Sequence, residues 1–431
     1  MTAPFSVINI EEMMNNHIQK SNHSKYPIIV LTLCAVFLFY KYILQIYPSV
    51  ITEQLMHDFN LTGTGLGYLG GIFYYTYMVM QLFVGVLLDR YGARCLTTLA
   101  ILCCALGIFF FSQTHILLHL QLSRALMGVG VAFATVAYMK LALSWFPPER
   151  YAFVTGLLAT AAMTGAVFCQ APLSFAINAF GWRESLMVVG LAGIALTIAF
   201  GLMVRDKKHV GSTHKKHLSF QDVLTVFKSK QNWLLTLYSG LAFSPVAIFG
   251  GLWGNPFVQQ AYHLSKTETA SLISLVFIGL GIGSPIIGLI SDRFGDRRNT
   301  MIYFTLLGCV AISLVLYCHM MPIWLLAVCL FTFGFAIGAY MLVFAIGTEL
   351  NNPRLIGTVV AMINASDAIL DGVTEPAIGK LLDLNWDGTI LNGVHYFSLH
   401  SYYIAFSVMP IFLLLATLFL LGVKQHKRVV N

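Results

Sequence analysis

One ten-residue segment occurs twice, and the repetition constrains the fold more than any other feature. Gly85-Val86-Leu87-Leu88-Asp89-Arg90-Tyr91-Gly92-Ala93-Arg94 returns as Gly288-Leu289-Ile290-Ser291-Asp292-Arg293-Phe294-Gly295-Asp296-Arg297, and every matched residue is displaced by 203 positions. The shared pattern is G-x-x-x-D-R-[aromatic]-G-x-R. Pro172 and Pro376, and Trp182 and Trp386, repeat at a displacement of 204. The chain therefore reads as two halves of about 200 residues with one plan, the internal repeat found in many transporters. Each copy separates two long apolar runs, so each is expected to be a short turn between membrane helices. Gly85 and Gly288 are expected to seat a close helix contact near the end of a span. Gly92 and Gly295 suit the positive φ of a tight turn. Arg90, Arg94, Arg293, Arg297 and Arg298 are cations beside a bilayer. Asp89 and Asp292 are expected to sit at the positive N-terminus of a neighbouring helix.

Composition agrees with a membrane chain. Of 431 residues, 58% are hydrophobic and 10% charged, against about 25% charged in soluble domains. A helical span needs about 20 apolar residues, and twelve spans plus their connections fit the length. The predicted spans include Pro27–Ser49, Gly63–Leu88, Leu117–Phe146, Ala152–Ile177 and Ile356–Leu382. The eight cysteines fall mostly in apolar runs without metal-ligand spacing and read as small apolar residues. No metal and no cofactor is expected.

The basic residues give orientation and domain limits. With both chain ends on one side, 19 of the 25 Lys and Arg fall in segments on that side. That distribution predicts cytoplasmic termini, and it accounts for the net charge of +7 without a nucleic-acid partner. The predicted organisation is a tail over 1–26, a six-helix bundle over 27–204, a linker over 205–232, a second bundle over 233–423 and a tail over 424–431. Within the linker, Phe220, Val223, Leu224 and Phe227 recur at helical spacing, with Ser219 as the expected N-cap. They predict an amphipathic helix on the membrane surface, with Lys228 and Lys230 toward the headgroups.

The doubled motif resembles the loops between helices 2 and 3, and between 8 and 9, of major facilitator superfamily transporters. The resemblance covers nearly the whole chain. It implies an all-α membrane protein of twelve transmembrane helices in two pseudo-symmetric six-helix bundles, working by alternating access, with both motif loops gating the motion. Arg124-Ala125-Leu126-Met127-Gly128-Val129-Gly130 resembles the R-x-x-x-G-x-G pattern of helix 4 in that family, which implies a part in coupling for Arg124. Span 1 and the Ser144-Trp145-Phe146 end of span 4 are faintly similar to the lysosomal dipeptide transporter group and its bacterial relatives.

Ionisable groups inside spans are costly and mark candidate sites. Lys41 lies roughly 21 Å into span 1 at 1.5 Å per residue, too deep to reach the interface, and is expected to face a cavity as a substrate or coupling residue. Lys140 lies near a span end and is expected to snorkel. On span 11, Asp367, Asp371 and Glu375 fall at i, i+4 and i+8 and share one face, with Asn364 on the adjoining stripe. They are expected to line a cavity and to hold either a coupling proton or a cationic substrate group. Lys380, one turn on, is expected to pair with Glu375 or to snorkel outward. Tyr74, Tyr77 and Gln81 on span 2 are candidates to line the same passage.

Lys41 and Arg124 in the first half, facing Asp367 and Asp371 in the second, suggest a zwitterionic solute such as an amino acid or short peptide. Organic-anion or sugar-phosphate carriage, drug or metabolite export, and membrane sensing are the alternatives. No ATP-hydrolysing motif, zinc signature or hydrolase triad is evident, so a gradient-driven transporter and not an enzyme is expected. Its expected partners are a small-molecule solute, protons if transport is proton-coupled, and the lipid bilayer. A monomer in a bacterial inner membrane is expected.

Overall fold

The computed structural model describes residues 26–146, 151–206, 220–318, 321–352, 355–391 and 393–424. Among them are twelve helices long and apolar enough to cross a membrane. The protein is an integral, multi-pass membrane protein. Spans 1 to 6 run over Tyr26–Val50, Gly63–Leu88, Ala93–Gln113, Leu117–Ala142, Leu157–Phe180 and Trp182–Met203. Spans 7 to 12 run over Lys230–Tyr262, Lys266–Phe294, Arg297–Tyr317, Ile323–Leu350, Ile356–Leu384 and Leu399–Leu421.

The packing repeats as the sequence does. In the first half, span 1 packs on 5, span 2 on 4, and span 3 on 4 and 6. Adding six to each number gives pairs that recur in the second half, 7 on 11, 8 on 10, and 9 on 10 and 12, while span 7 also packs on 12, more extensively than span 1 does on 6. Two related seams join the halves, span 2 on span 11 and span 5 on span 8. The result is two six-helix bundles about a pseudo-two-fold axis.

Local chemistry sets the helix ends. Thr62 caps span 2 by accepting from the Gly65 N–H, and Ser265 and Glu268 form a capping box on span 8. Gly92 (φ 87°) and Gly295 (φ 65°) end spans 2 and 8 with the positive φ expected of them. Span 7 contains Pro245, and its next turns, Ala247–Trp253, widen to π-helical geometry. Proline removes a backbone donor, which favours such a local change of winding. The helix Phe220–Lys228 forms as expected and leaves Phe227 exposed while Val226 is buried. Its expected cap, Ser219, lies outside the described residues. A short hairpin pairing Ile390–Leu391 with Val394–His395 stands between spans 11 and 12 and has no counterpart in the sequence reading.

The seam between spans 2 and 11 is made of backbone. A Cβ on Gly63 would lie 2.7 Å from the Gly379 carbonyl, and one on Gly67 would lie 2.4 Å from that of Glu375. Only glycine permits this approach. The seam covers just one end of the two helices, away from the face that carries Tyr26 and Lys424, here called the terminal face. At the opposite face the Asp383 carboxylate crosses to span 2 and accepts from Gly63 N (2.8 Å), Thr64 N (2.7 Å) and Thr64 Oγ1 (2.6 Å). Lys266 pairs with Glu53 at 2.7 Å, and Asn178 donates to Thr267 at 2.9 Å. Near the terminal face, Gly85 and Gly288 have nothing within 4 Å of a built Cβ. The close contact expected of them is absent, because the halves splay apart there.

The motif charges also differ from expectation. Asp292 does not cap a helix; it pairs with Arg297 at 3.0 Å, and Arg297 also reaches Glu349 at 3.1 Å. The N-terminus of span 3 is capped instead by Asp206, which accepts from Ala93 N and Arg94 N at 3.0 Å each. Arg94 donates to the Gly201 carbonyl, and Arg298 to that of Val423. Arg90 stays exposed over Tyr91, and Arg293 is exposed. The Asp89 side chain lies outside what is described. All these contacts stay within one half, so the motif loops brace each bundle internally.

Candidate functional site

The two halves enclose a cavity of about 440 Å³ that begins near the middle of the spans and extends toward the terminal face. Spans 1 and 2 contribute Lys41, Tyr42, Gln45, Tyr74, Tyr77 and Gln81 to its wall. Span 11 contributes Asn364, Asp367 and Asp371, and span 10 contributes Tyr340. The cavity is closed beyond Tyr74 by the seam between spans 2 and 11. Its volume is that of an ordinary small-molecule site.

Lys41 is 7% exposed, and its ammonium lies 5.0 Å from the Tyr42 ring centroid and 5.1 Å from that of Tyr77. No described carboxylate lies within ion-pairing distance, 4.0 Å, of it. Aromatic faces stabilise a cation but leave its hydrogen-bond donors for a ligand. On the opposite wall, Asp367 accepts from Ser239 Oγ at 2.7 Å, while Asp371, 2% exposed, has an Oδ1 with no partner. Gln45 donates to the Tyr74 hydroxyl at 3.3 Å, and Gln81 to the Ala132 carbonyl at 3.3 Å. One wall thus offers a cation among aromatic rings, and the other offers acceptors.

Several expected site residues lie elsewhere. Arg124 is off the cavity wall: its guanidinium donates to the Leu44 and Gln45 carbonyls and lies over the Tyr47 and Phe73 rings. Span 1 tightens into a 3₁₀ turn at Tyr47–Val50, and Arg124 supplies donors to carbonyls just before it. Glu375 shares the face of Asp371, but it is 2% exposed and packed under span 2, where a Cβ on Gly70 would strike its Oε2. It does not line the cavity. Lys380 is exposed and makes no pair with it. Lys140 donates to the carbonyl of Leu88, the last residue of span 2. Sequence reasoning missed the closing layer above the cavity. There Gln170, fully buried, donates to the Gly250 carbonyl at 2.9 Å and accepts from Asn255 at 2.9 Å, tying span 5 to span 7. The signal available was that Gln170 is an amide deep within span 5. Among the described residues no cluster of His, Cys, Asp and Glu could hold a metal ion.

The profile of the Major Facilitator Superfamily matches residues 29–370 and 235–431. The chain belongs to that superfamily. The relatives named next are carriers of solutes, not enzymes. The chain is 26% identical over 266 residues to a probable L-galactonate transporter of Escherichia coli, an alignment covering 57% of each protein. It is 22% identical over 369 residues to a probable galactarate/D-glucarate transporter of Bacillus subtilis, covering 78% of this chain and 81% of that one. In structure it is similar to a bacterial homologue of the human lysosomal transporter Spinster in an inward-facing, occupied conformation. The TM-score is 0.76, with 16% identity, 93% of this chain and 97% of the other covered. That likeness carries the major facilitator fold and nothing about substrate.

Proposed function

We propose that this major facilitator chain is a secondary transporter of small organic anions, with hydroxylated carboxylates of the sugar-acid type as the favoured solutes. The observation that carries the reading is Lys41, a buried cation on the cavity wall with no carboxylate partner. A buried charge persists where a ligand completes it. The names of the relatives, both carriers of sugar acids, support the same class. Without Arg124 the first half offers one cation to the cavity, so the two-cation wall imagined for a zwitterion is reduced to Lys41. An amino acid or short peptide would have to set its ammonium against Asp367 and Asp371; a sugar acid would set hydroxyl donors there.

Thermal-shift screening separates these classes, because a ligand of the folded state raises apparent stability by mass action. The reading expects stabilisation by aldonates and uronates and none by amino acids, dipeptides or sugar phosphates. Stabilisation by dipeptides alone would overturn it.

The terminal face is assigned to the cytoplasm by the excess of Lys and Arg on that side. The structure is then the inward-open state, and transport requires the seam between spans 2 and 11 to open while the terminal ends close. Gly85 and Gly357 fit that motion. They lie 22 residues, about six helical turns, from Gly63 and Gly379, the pair that touches in the seam, and both now face open space. The motif loops act as rigid braces for this movement. Asp292→Asn, which loosens the Arg297 pair, is expected to lower the transport rate several-fold while changing ligand affinity less than twofold; Asp89→Asn is expected to behave alike. Equal losses in binding and rate would contradict the gating role.

Asp383 holds the outer closure as an N-cap supplied across the two halves. Removing an N-cap costs about 0.5–2 kcal/mol. Asp383→Ala is therefore expected to shift the inward-open to outward-open ratio by roughly 2- to 30-fold toward outward-open. Spin labels at positions 178 and 267, which touch in this state, would report it as a longer distance population.

A further inference from the structure

Of the charged groups that line the cavity, one is a cation and two are anions. Lys41 is the one cation among the described lining residues, while Asp367 and Asp371 stand on the facing helix, one turn apart. Arg124 is not available to a ligand, being bound to the Leu44 and Gln45 carbonyls. Nor does the cavity hide a neutralising partner for the acids: Asp367 has Ser239, and Asp371 Oδ1 has nothing. The two walls are close enough to act on one ligand. Lys41, Tyr42, Asp367 and Asp371 all line this one cavity.

We propose that Asp367 and Asp371 are specificity residues that admit hydroxylated monocarboxylates and reject dicarboxylates of the same length. The inference rests on the organic-anion reading above. A monocarboxylate places its single charge on Lys41, in a charge-assisted hydrogen bond. Its remaining chain then lies toward span 11 and carries hydroxyl groups. Each hydroxyl is a donor, and Asp367 and Asp371 present carboxylate acceptors on the cavity wall, so the ligand's hydroxyls have partners there. A dicarboxylate anchored in the same way brings its second anion against the acidic pair of span 11 in a site of low dielectric, where like charges repel strongly. An unhydroxylated monocarboxylate avoids that repulsion but brings these acceptors no donor, and sites built to meet a hydroxyl discriminate against analogues lacking it. The selection is thus double, against a second charge and against a bare hydrocarbon chain.

The same six-carbon frame tests both parts. Purified full-length protein in proteoliposomes is loaded with unlabelled galactonate, and uptake of labelled galactonate is measured by counterflow at pH 8. Unlabelled galactonate, galactarate and hexanoate compete from outside. For the wild type, galactonate is expected to inhibit at concentrations at least tenfold lower than either competitor. In Asp371→Asn, and more so in Asp367→Asn/Asp371→Asn, the galactarate gap is expected to close to within threefold, because the amides keep the shape and remove the negative charge. Equal inhibition by galactarate and galactonate in the wild type overturns the inference while leaving organic-anion transport intact, and it does so whether or not the variants fold. A tenfold gap that persists in the folded double variant overturns it as well. If no organic acid competes or exchanges at all, the organic-anion reading fails and the inference falls with it.

Discussion

Lys41→Ala is expected to lower sugar-acid uptake by at least about 30-fold, with most of the loss in affinity. Truncating one partner of a buried, hydrogen-bonded charge pair costs about 2–5 kcal/mol, or roughly 30- to several-thousand-fold in affinity. The effect is large because the cavity offers no second described cation to take over. Lys41 has no ion-pair partner among the described residues, so its removal leaves no described carboxylate orphaned. The variant's thermal stability without ligand should therefore match or exceed that of the wild type, while the stabilisation produced by sugar acid disappears. That combination separates a binding residue from a structural one, whose loss lowers stability with or without ligand. Lys41→Arg keeps the charge but changes its shape and reach, and partial activity is expected. Uptake by Lys41→Ala within threefold of wild type would remove the anchor from the proposal.

Gly67→Val is expected to reduce transport by more than 100-fold by a different route. A Cβ at position 67 would stand 2.4 Å from the Glu375 carbonyl and 2.5 Å from Pro376 Cα. Both are backbone atoms of a packed helix and cannot step aside as a flexible side chain would. The seam halves of spans 2 and 11 then cannot meet, and the state described here, open at the terminal face, is lost. Binding from the outer side should survive within a few-fold, because the cavity residues are untouched. Spin labels at 178 and 267 should move apart even with substrate present. Gly85→Ala is the matched control: its Cβ enters open space in this state, so the short 178–267 distance should persist. Normal transport by Gly67→Val would mean that the seam is not a closing surface.

The parts of the fold that the sequence made legible are those set by local pattern. The doubled motif and the displaced Pro172/Pro376 pair announced two halves, and the apolar runs announced twelve spans. The positions of Lys41, Asp367 and Asp371 on the cavity wall followed from one rule, that charge inside a membrane needs water or a ligand. What stayed hidden depends on which helix lies opposite. Glu375 has the same periodicity as Asp371, yet the Gly67–Gly70 segment of span 2 roofs it over, and no pattern within span 11 records that neighbour. Arg124 reads as a free cation until span 1 is placed beside it with two carbonyls to satisfy. Asp206 lies at the start of the linker, yet it caps span 3, because spans 3 and 6 pack side by side. The loop glycines Gly85 and Gly288 illustrate a further limit. Their spacing speaks of close contact, and the state described here is the one in which that contact is open.

The most direct test of solute transport anchored at Lys41 is accumulation of labelled galactonate in proteoliposomes holding the purified protein. Saturable uptake above the no-protein control, lost in Lys41→Ala and not inhibited by amino acids or dipeptides, is the predicted result. Tight galactonate binding without any accumulation or exchange would identify a sensor in place of a transporter. Accumulation of a dipeptide with no response to galactonate would return the acidic wall to a zwitterion's ammonium and contradict the organic-anion assignment.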